Sequence, residues 1–237
     1  RGAVNDLPES GAFDADEVAG LVAAWDRSQF FAAPTMVKRL QQSSAMGRLP
    51  LARLKSIVFG GGPMYVADLE AAFAAFGPRL AQIYGQGESP MTITAMDRAA
   101  LADAIARGDL HRVGSVGTAQ LGIEVRIGGP DDAALPTGEV GEVLVRGPTV
   151  MREYWGNAEA TARTLANGWL HTGDLGALDA DGFLTLKDRS KDLVISGGSN
   201  IYPREVEEAL LSHPDVAEAA VFGRPHAEWG EEVVACV

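Results

Sequence analysis

IVFGGGPMYVADLEAAFAAFGPRLAQIY, residues 57–84, decides how the front of this chain folds. Ile57-Val58-Phe59 is a short apolar run, the pattern of a strand buried on both faces. Gly60-Gly61-Gly62 supplies a turn, and Pro63 reads as the opening of a helix, because the first helical turn tolerates a residue without an N–H. Val66, Leu69, Phe73 and Phe76 recur at helical spacing and mark the inner face. Gly77-Pro78 stops the helix, and Leu80 to Tyr84 make a second apolar strand. A helix joining two buried strands implies that they pair in parallel in one sheet.

Upstream, residues 14–27 predict an amphipathic helix. Val18, Leu21, Val22 and Trp25 share one face, and Asp14 with Glu17 makes a capping-box-like start. Phe30 and Phe31 then lead to Pro34, which suits the first turn of another short helix. Downstream of about residue 112 the texture changes to alternation. Ile123, Val125 and Ile127 point one way, Glu124 and Arg126 the other, and 142–147 and 183–188 repeat the habit. Strands with one wet face belong to antiparallel sheets or barrels. A short helix is expected from Asn157 to before Gly168. Residues 193–196 read as a strand, 196–200 as a loop, Pro203 as the start of a helix carrying Val206 and Leu210, and 216–222 as another strand.

The expected fold class is therefore α/β. Part of a parallel α/β sheet (1–111) is followed by an antiparallel, β-barrel-like subdomain (112–190) and the start of a small α+β domain (191–237). Charged residues without an apolar cluster at 187–192 suit a hinge between domains. There is no internal repeat and no low-complexity tract. Arg1 is not a start residue, and VVACV (233–237) ends inside what reads as a strand, so the sequence is expected to be an excerpt from a longer protein.

Of the 237 residues, 46% are hydrophobic and 22% charged, as in ordinary globular proteins. No apolar run approaches the ~20 residues that span a bilayer. The formal charge of −12 repels a phosphate backbone at long range and argues against nucleic-acid binding as the main task. A nucleotide site needs only local donors and stays open. Cys236 is the single cysteine, which fits a reducing cytoplasm. His111, His171, His213 and His226 lack metal-ligand spacing. The sequence is silent on oligomeric state, and a homo-oligomer is compatible with it.

Four segments carry chemistry. Gly60–Gly62 lacks the G-x-G-x-x-G spacing of a dinucleotide turn, but its missing side chains let a ligand lie against the backbone. YGQGES (84–89) follows the next strand, at the carboxyl edge where open α/β sheets bind ligands. Glu88 there offers the hard oxygen that magnesium prefers; on the residues alone it is equally a solvated loop carboxylate. GWLHTGDLG (168–176) puts Asp174 on a sharp turn, where it can accept hydrogen bonds from a ribose diol or simply close an Asx-turn. The fourth is DRSKDLVISGGSNIYPREVEEAL (188–210), which joins the alternating region to the small terminal domain.

The ordered set YGQGE, GEVLVRG, GWLHTGD, DRSKDLVISGGSNIYPREVEE and WGEEVVA resembles the adenylate-forming superfamily of acyl-CoA synthetases, luciferases and peptide-synthetase adenylation domains. The resemblance runs from FFAAPTM (30–36) to the end. Within the superfamily, FFAAPTM, GGGPM and YGQGESPMTIT are closest to fatty or aromatic acyl-CoA ligases. It implies that Tyr84 flanks an adenine beside the backbone of Gly60, Gly61 and Gly62, and that Gly85, Gln86 and Gly87 complete the nucleotide loop. Glu88 would bind Mg2+, Asp174 the ribose hydroxyls, and Arg189 the ribose as well. Lys191 takes the hinge position, Gly197 and Gly198 the loop that approaches the pantetheine arm, and Phe31 the aromatic place near the acyl channel.

Gly87 departs from the pattern, since the family's usual threonine stands there, and a hydroxyl expected to touch phosphate is lost. The family's phosphate loop would lie before Arg1 and its catalytic lysine after Val237, so these residues alone are expected not to catalyse adenylation. The implied reaction is ATP-dependent activation of a carboxylic acid through acyl-AMP, followed by thioester formation with coenzyme A. Two alternatives stay open: an adenylating enzyme that loads a carrier protein, and a non-catalytic nucleotide- or acyl-binding fragment.

Overall fold

The computed structural model describes residues 3–237. Helix α1 (Ala15–Ala24) leads into strand β1 (Ser28–Ala32), helix α2 (Pro34–Gln42), strand β2 (Leu54–Phe59), helix α3 (Val66–Phe76) and strand β3 (Leu80–Gln86). Strand β4 (Ser89–Met96), helices α4 (Arg98–Arg107) and α5 (Leu110–Val113) and the short strand β5 (Thr118–Ala119) follow. The strands form one sheet in the order β1-β2-β3-β4-β5. β1, β2 and β3 are mutually parallel, whereas β4 and β5 run antiparallel, so the sheet is mixed.

β1 and β4 lack the continuous apolar run that marked β2 and β3. β1 is a half-exposed edge strand. β4 buries Ser89 and Thr94 beside Ile93, and the Thr94 hydroxyl donates to Val116 O at 2.6 Å, which offsets its burial. YGQGES does follow a strand, β3, that is parallel to β2, but it is a hairpin turn at Gly87-Glu88 leading straight back into antiparallel β4.

Helix α3 starts at Val66, three residues later than Pro63 suggested. Met64 is buried in the core, which turns the chain inward before the helix begins. Leu69, Ala72 and Phe76 form its buried face, with Val66 and Phe73 partly covered. In α1 the capping box is one-sided. Asp14 accepts from the N–H groups of Asp16 and Glu17, but the Glu17 carboxylate turns to the N–H groups of Glu9 and Ser10. Trp25 lies at the C-cap, exposed, and donates to Asp6 Oδ2 at 2.7 Å, so it does not join the buried face.

The second sheet contains β6 (Glu124–Gly128), β7 (Gly141–Arg146), β8 (Leu170–Leu178) and β9 (Leu184–Arg189), with helix α6 (Ala158–Thr164) between β7 and β8. It is antiparallel in the order β6-β7-β8-β9 and remains open at both edge strands. No closed barrel forms, since four strands are too few to wrap a filled interior, for which about eight are usual. Its outer face is not simply wet. Leu144 is fully buried, and the guanidinium groups of Arg126 and Arg146 stack on Trp169 at 4.0 and 4.5 Å.

The third sheet, in the order β11-β10-β13-β12, comprises β10 (Val194–Ser196), β11 (Ser199–Ile201), β12 (Ala220–His226) and β13 (Gly230–Cys236), with helix α7 (Pro203–Leu211). β12 begins later than residue 216, because Val216 N–H is spent on His213 O in the turn after α7.

Two cores hold these layers. Phe59, Leu69, Phe76 and Leu80 belong to the first, and burying each contributes about 1.5–3 kcal/mol. The second joins Tyr84, Ile93 and Val116 to Ile123, Val143, Val145, Leu170 and Leu184. Backbone bonds between Val116 or Gly117 and Leu184 (2.8 and 2.9 Å) tie the two sheets where they meet. This shared core brings the end of β3 against β8.

Candidate active site

A cleft of about 820 Å³ opens at the carboxyl ends of β2 and β3. Gly61 to Tyr65 and Gln82 to Glu88 form one wall; Thr172, Asp174, Leu186, Asp188 and Arg189 of the second sheet form another. Pro203, Arg204 and Glu207 of α7 close the side.

Asp174 is the best-held polar group in the cleft. It is 7% exposed, beside Gly173, whose φ of +69° makes the turn that glycine tolerates. Tyr84 donates its phenol hydrogen to Asp174 Oδ2 at 2.5 Å, and Gln86 Nε2 donates to the same oxygen and to Thr172 O, both at 2.8 Å. Arg189 faces Asp174 directly across the β8–β9 ladder, its Nε 3.4 Å from Oδ1. Burial, with the Asp174 carboxylate alongside, pushes the Tyr84 phenol far above the ordinary tyrosine range. It therefore stays a donor at any working pH. Oδ2 of Asp174 is saturated, while Oδ1 keeps lone pairs beside an exposed arginine.

Glu88 lies in the β3–β4 turn, half-buried. Its Oε1 accepts the phenol hydrogen of Tyr154, and its backbone carbonyl accepts Met151 N–H at 2.7 Å. Among the described residues Oε2 has no protein partner, and no group of three or more metal-ligating side chains surrounds it. A lone carboxylate suits magnesium carried in on phosphates, since that ion keeps most of its shell from water and substrate. Acidic side chains (Glu88, Asp174, Asp188, Asp192, Glu207) outnumber the arginines (Arg189, Arg204) along the cleft, so a polyphosphate entering it needs a cation. The residues present thus fit a magnesium–nucleotide complex.

Tyr84, Gly85, Gln86, Gly87, Glu88, Gly61, Gly62, Asp174 and Arg189 are brought together along the cleft. Gly60 is not: a Cβ there would lie 2.4 Å from Ile83 O, so it serves the close approach of β2 and β3. Phe31, 47% exposed on β1, lies outside the lining. Lys191 is exposed and makes no ion pair among the described residues. Gly197 and Gly198 turn the β10–β11 hairpin beside Trp229, away from the cleft. Gly87 has open space around it, so nothing in the fold forbids a side chain there.

The motifs alone did not flag the contacts made by α7. Tyr65 donates to Glu207 Oε2 at 2.6 Å, Glu208 Oε2 accepts Val66 N–H at 3.2 Å at the start of α3, where the local N-cap residue offers no side-chain cap, and Lys187 pairs with Glu205 at 2.6 Å. The acidic run EVEE after Pro203 was the available signal.

Residues 1–155 match the family model described as AMP-binding enzyme, and residues 205–237 match the AMP-binding enzyme C-terminal domain. A feruloyl-CoA synthase from Amycolatopsis sp is 38% identical over 220 residues, 93% of this chain and 43% of that protein. The medium/long-chain-fatty-acid–CoA ligase FadD8 of Mycobacterium tuberculosis is 37% identical over 227 residues, 95% of this chain and 38% of that protein. Among solved structures, the amide bond synthetase McbA from Marinactinospora thermotolerans is similar with a TM-score of 0.84 at 37% identity, over 94% of this chain and 44% of that one. This chain spans less than half the length of these relatives. The motif order, the cleft and these matches agree: the chain belongs to the AMP-binding enzyme family, the adenylate-forming superfamily that includes the acyl-CoA synthetases.

Proposed function

We propose that the whole protein activates a fatty or aromatic carboxylic acid with ATP and then transfers the acyl group to coenzyme A. In the first step a carboxylate oxygen attacks the α-phosphate and pyrophosphate leaves, giving acyl-AMP. In the second a thiol attacks the acyl carbon, AMP leaves and the thiol proton is lost. The observation that carries this reading is the buried Asp174, held by Tyr84 and Gln86 with one oxygen left for a ribose diol. In this reading the Tyr84 ring and the backbone of Gly61 and Gly62 flank the adenine, with Gly60 setting their spacing, and Arg189 adds a contact to the ribose. Glu88 would hold Mg2+, which offsets the charge that builds on the phosphates during transfer.

Lys191 sits in the charged segment proposed as a hinge, and Gly197 and Gly198 would reach the pantetheine arm after rotation about it. Their place outside the cleft fits a protein poised for the first step. We also propose a division at 111/112 and 190/191; the second boundary falls between the second and third sheets, whereas β5 carries the first sheet a few residues past the first boundary. Phe31 is kept as an acyl-channel residue because β1 ends beside the glycine turn, where Gly60 N–H donates to Ala32 O. Among the described residues no helix is long and apolar enough to cross a membrane, and the lone exposed Cys236 suits a reducing, cytoplasmic setting.

The test is a panel of fatty and aromatic acids incubated with the whole protein, ATP and magnesium, with AMP release measured. Coenzyme A, a carrier protein and an amine are compared as acceptors. AMP release that depends on coenzyme A supports the ligase. Nucleotide binding without AMP release for any acid would replace it with a binding protein.

A further inference from the structure

The segment after β7 touches the Glu88 turn at three points. Thr149 Oγ1 meets Ser89 Oγ at 3.1 Å, Met151 N–H donates to Glu88 O at 2.7 Å, and Tyr154 donates to Glu88 Oε1. The segment leaves β7 at Gly147, where a Cβ would lie 2.9 Å from the backbone oxygen of Gly122, so glycine lets the chain pass close to it. Tyr154 is itself fixed from behind: its N–H donates to Thr161 Oγ1 at 3.0 Å in α6. Thr149, Met151 and Tyr154 lie outside the quoted motifs. They nevertheless determine how the one carboxylate in the β3–β4 turn presents itself.

A carboxylate can hold a cation through one oxygen or both. Here Oε1 is occupied by a phenol hydrogen and Oε2 has no protein partner. Magnesium favours single-oxygen ligation in a tight octahedron, whereas calcium accepts two carboxylate oxygens readily. We propose that Tyr154 is a positioning residue that holds Glu88 in a one-oxygen presentation, and so sets both the strength and the selectivity of divalent-cation binding at the nucleotide site. The inference rests on the reading of Glu88 as the metal-facing carboxylate. Tyr154 acts only through that carboxylate.

The experiment compares the whole protein with Tyr154→Phe, which removes one oxygen atom and keeps the ring, and with Glu88→Gln. The first readout is the magnesium concentration for half-maximal ATP–pyrophosphate exchange. The second needs no turnover: Mn2+ binding to the ATP-loaded protein, without any acid, followed by electron paramagnetic resonance. Tyr154→Phe is expected to raise the magnesium requirement about three- to tenfold, the effect of losing one hydrogen bond to a charged, partly exposed group. It should weaken Mn2+ binding similarly and raise calcium relative to magnesium in competition. The acid KM and the thermal melt stay as in the parent. A Tyr154→Phe protein with parental cation affinity and selectivity overturns the proposal if Glu88→Gln still weakens cation binding. If Glu88→Gln changes nothing, the reading of Glu88 fails and this inference with it. A loss of kcat or of melting temperature at unchanged cation affinity also overturns it, because that is what a merely structural loop contact would give.

Discussion

Replacing Asp174 with asparagine should separate its part in the fold from its proposed part in holding the nucleotide. Asparagine keeps one carbonyl oxygen, which can take the place of Oδ2 and accept from Tyr84 and Gln86. Its amide nitrogen then stands where Oδ1 was, beside Arg189. That ion pair involves a side chain 59% exposed, and such pairs contribute at most about 1 kcal/mol. The expected stability loss is therefore about 1 kcal/mol. Alanine removes both oxygens and leaves the buried Tyr84 hydroxyl without an acceptor, while Gln86 keeps Thr172 O. An unsatisfied buried group costs about 1–3 kcal/mol, and the small cavity adds to it, so alanine should cost about 2–4 kcal/mol. For ATP the two variants should be alike, because neither offers a carboxylate to the ribose. Losing hydrogen bonds to a charged acceptor costs about 1.5–3 kcal/mol, or roughly 10- to 100-fold in the KM for ATP. Urea unfolding gives the first quantity and pyrophosphate exchange against ATP concentration gives the second. A parental KM for ATP in asparagine would remove the ribose from the reasoning. Equal destabilisation by both substitutions would remove the hydrogen-bond accounting.

Burial and the Asp174 carboxylate raise the Tyr84 phenol, so the folded chain keeps a proton that the unfolded chain loses near pH ~10. That stabilisation is complete below about pH 10 and declines above it. The parent should lose stability faster than Tyr84→Phe between about pH 10 and 11.5, by up to ~1.4 kcal/mol per pH unit, as followed by denaturant midpoints at each pH. Gly85→Ala would set a Cβ 2.4 Å from Met91 N and 2.6 Å from Ser89 O, so urea unfolding should show a loss of about 2 kcal/mol or more, whereas Gly87→Ala or Gly87→Thr should change stability by less than about 0.5 kcal/mol. Burial raises Glu208, whose ionised form is thus penalised against α3; the stabilisation it brings is full below the ordinary glutamate range and lost as pH rises through its folded value. Glu208→Gln keeps an acceptor for Val66 N–H, so paired melts should find it no less stable than the parent at pH 7 and relatively weaker at pH 4.

The strands and helices visible in the sequence were those whose burial is uniform. Ile57–Phe59 and Leu80–Tyr84 are covered on both faces, so nearly every residue but Gln82 carries the signal, and Gly77 with Pro78 ends α3 by local backbone chemistry. Elements whose stability comes from partners left a weaker trace. β4 reads as polar because Ser89 and Thr94 are buried through hydroxyl bonds to other segments. The start of α3 is capped by Glu208, 142 residues further on, and no local pattern announces that. Asp174 and Glu88 stood out because each follows a glycine in a motif of recognisable spacing. Tyr154 did not, because a tyrosine in a charged loop has no signature until its partner is in view.

Both of the cleft's key carboxylates are held by tyrosines from outside their own motif. Asp174 belongs to the second sheet and is held by Tyr84 from the first; Glu88 belongs to the first sheet and is held by Tyr154 from the segment that leaves the second. Each bond crosses the same seam in the opposite sense. A relative slide of the two sheets would therefore disturb Asp174 and Glu88, the groups proposed to face the ribose and the metal, together. The shared core of Tyr84, Ile93 and Val116 with Val143, Leu170 and Leu184 resists that slide, since close-packed interiors shift only by breaking many contacts at once. The site's precision thus comes from the packing between the sheets, while the movement proposed for the reaction would be confined to the charged segment at 187–192 and the helix beyond it.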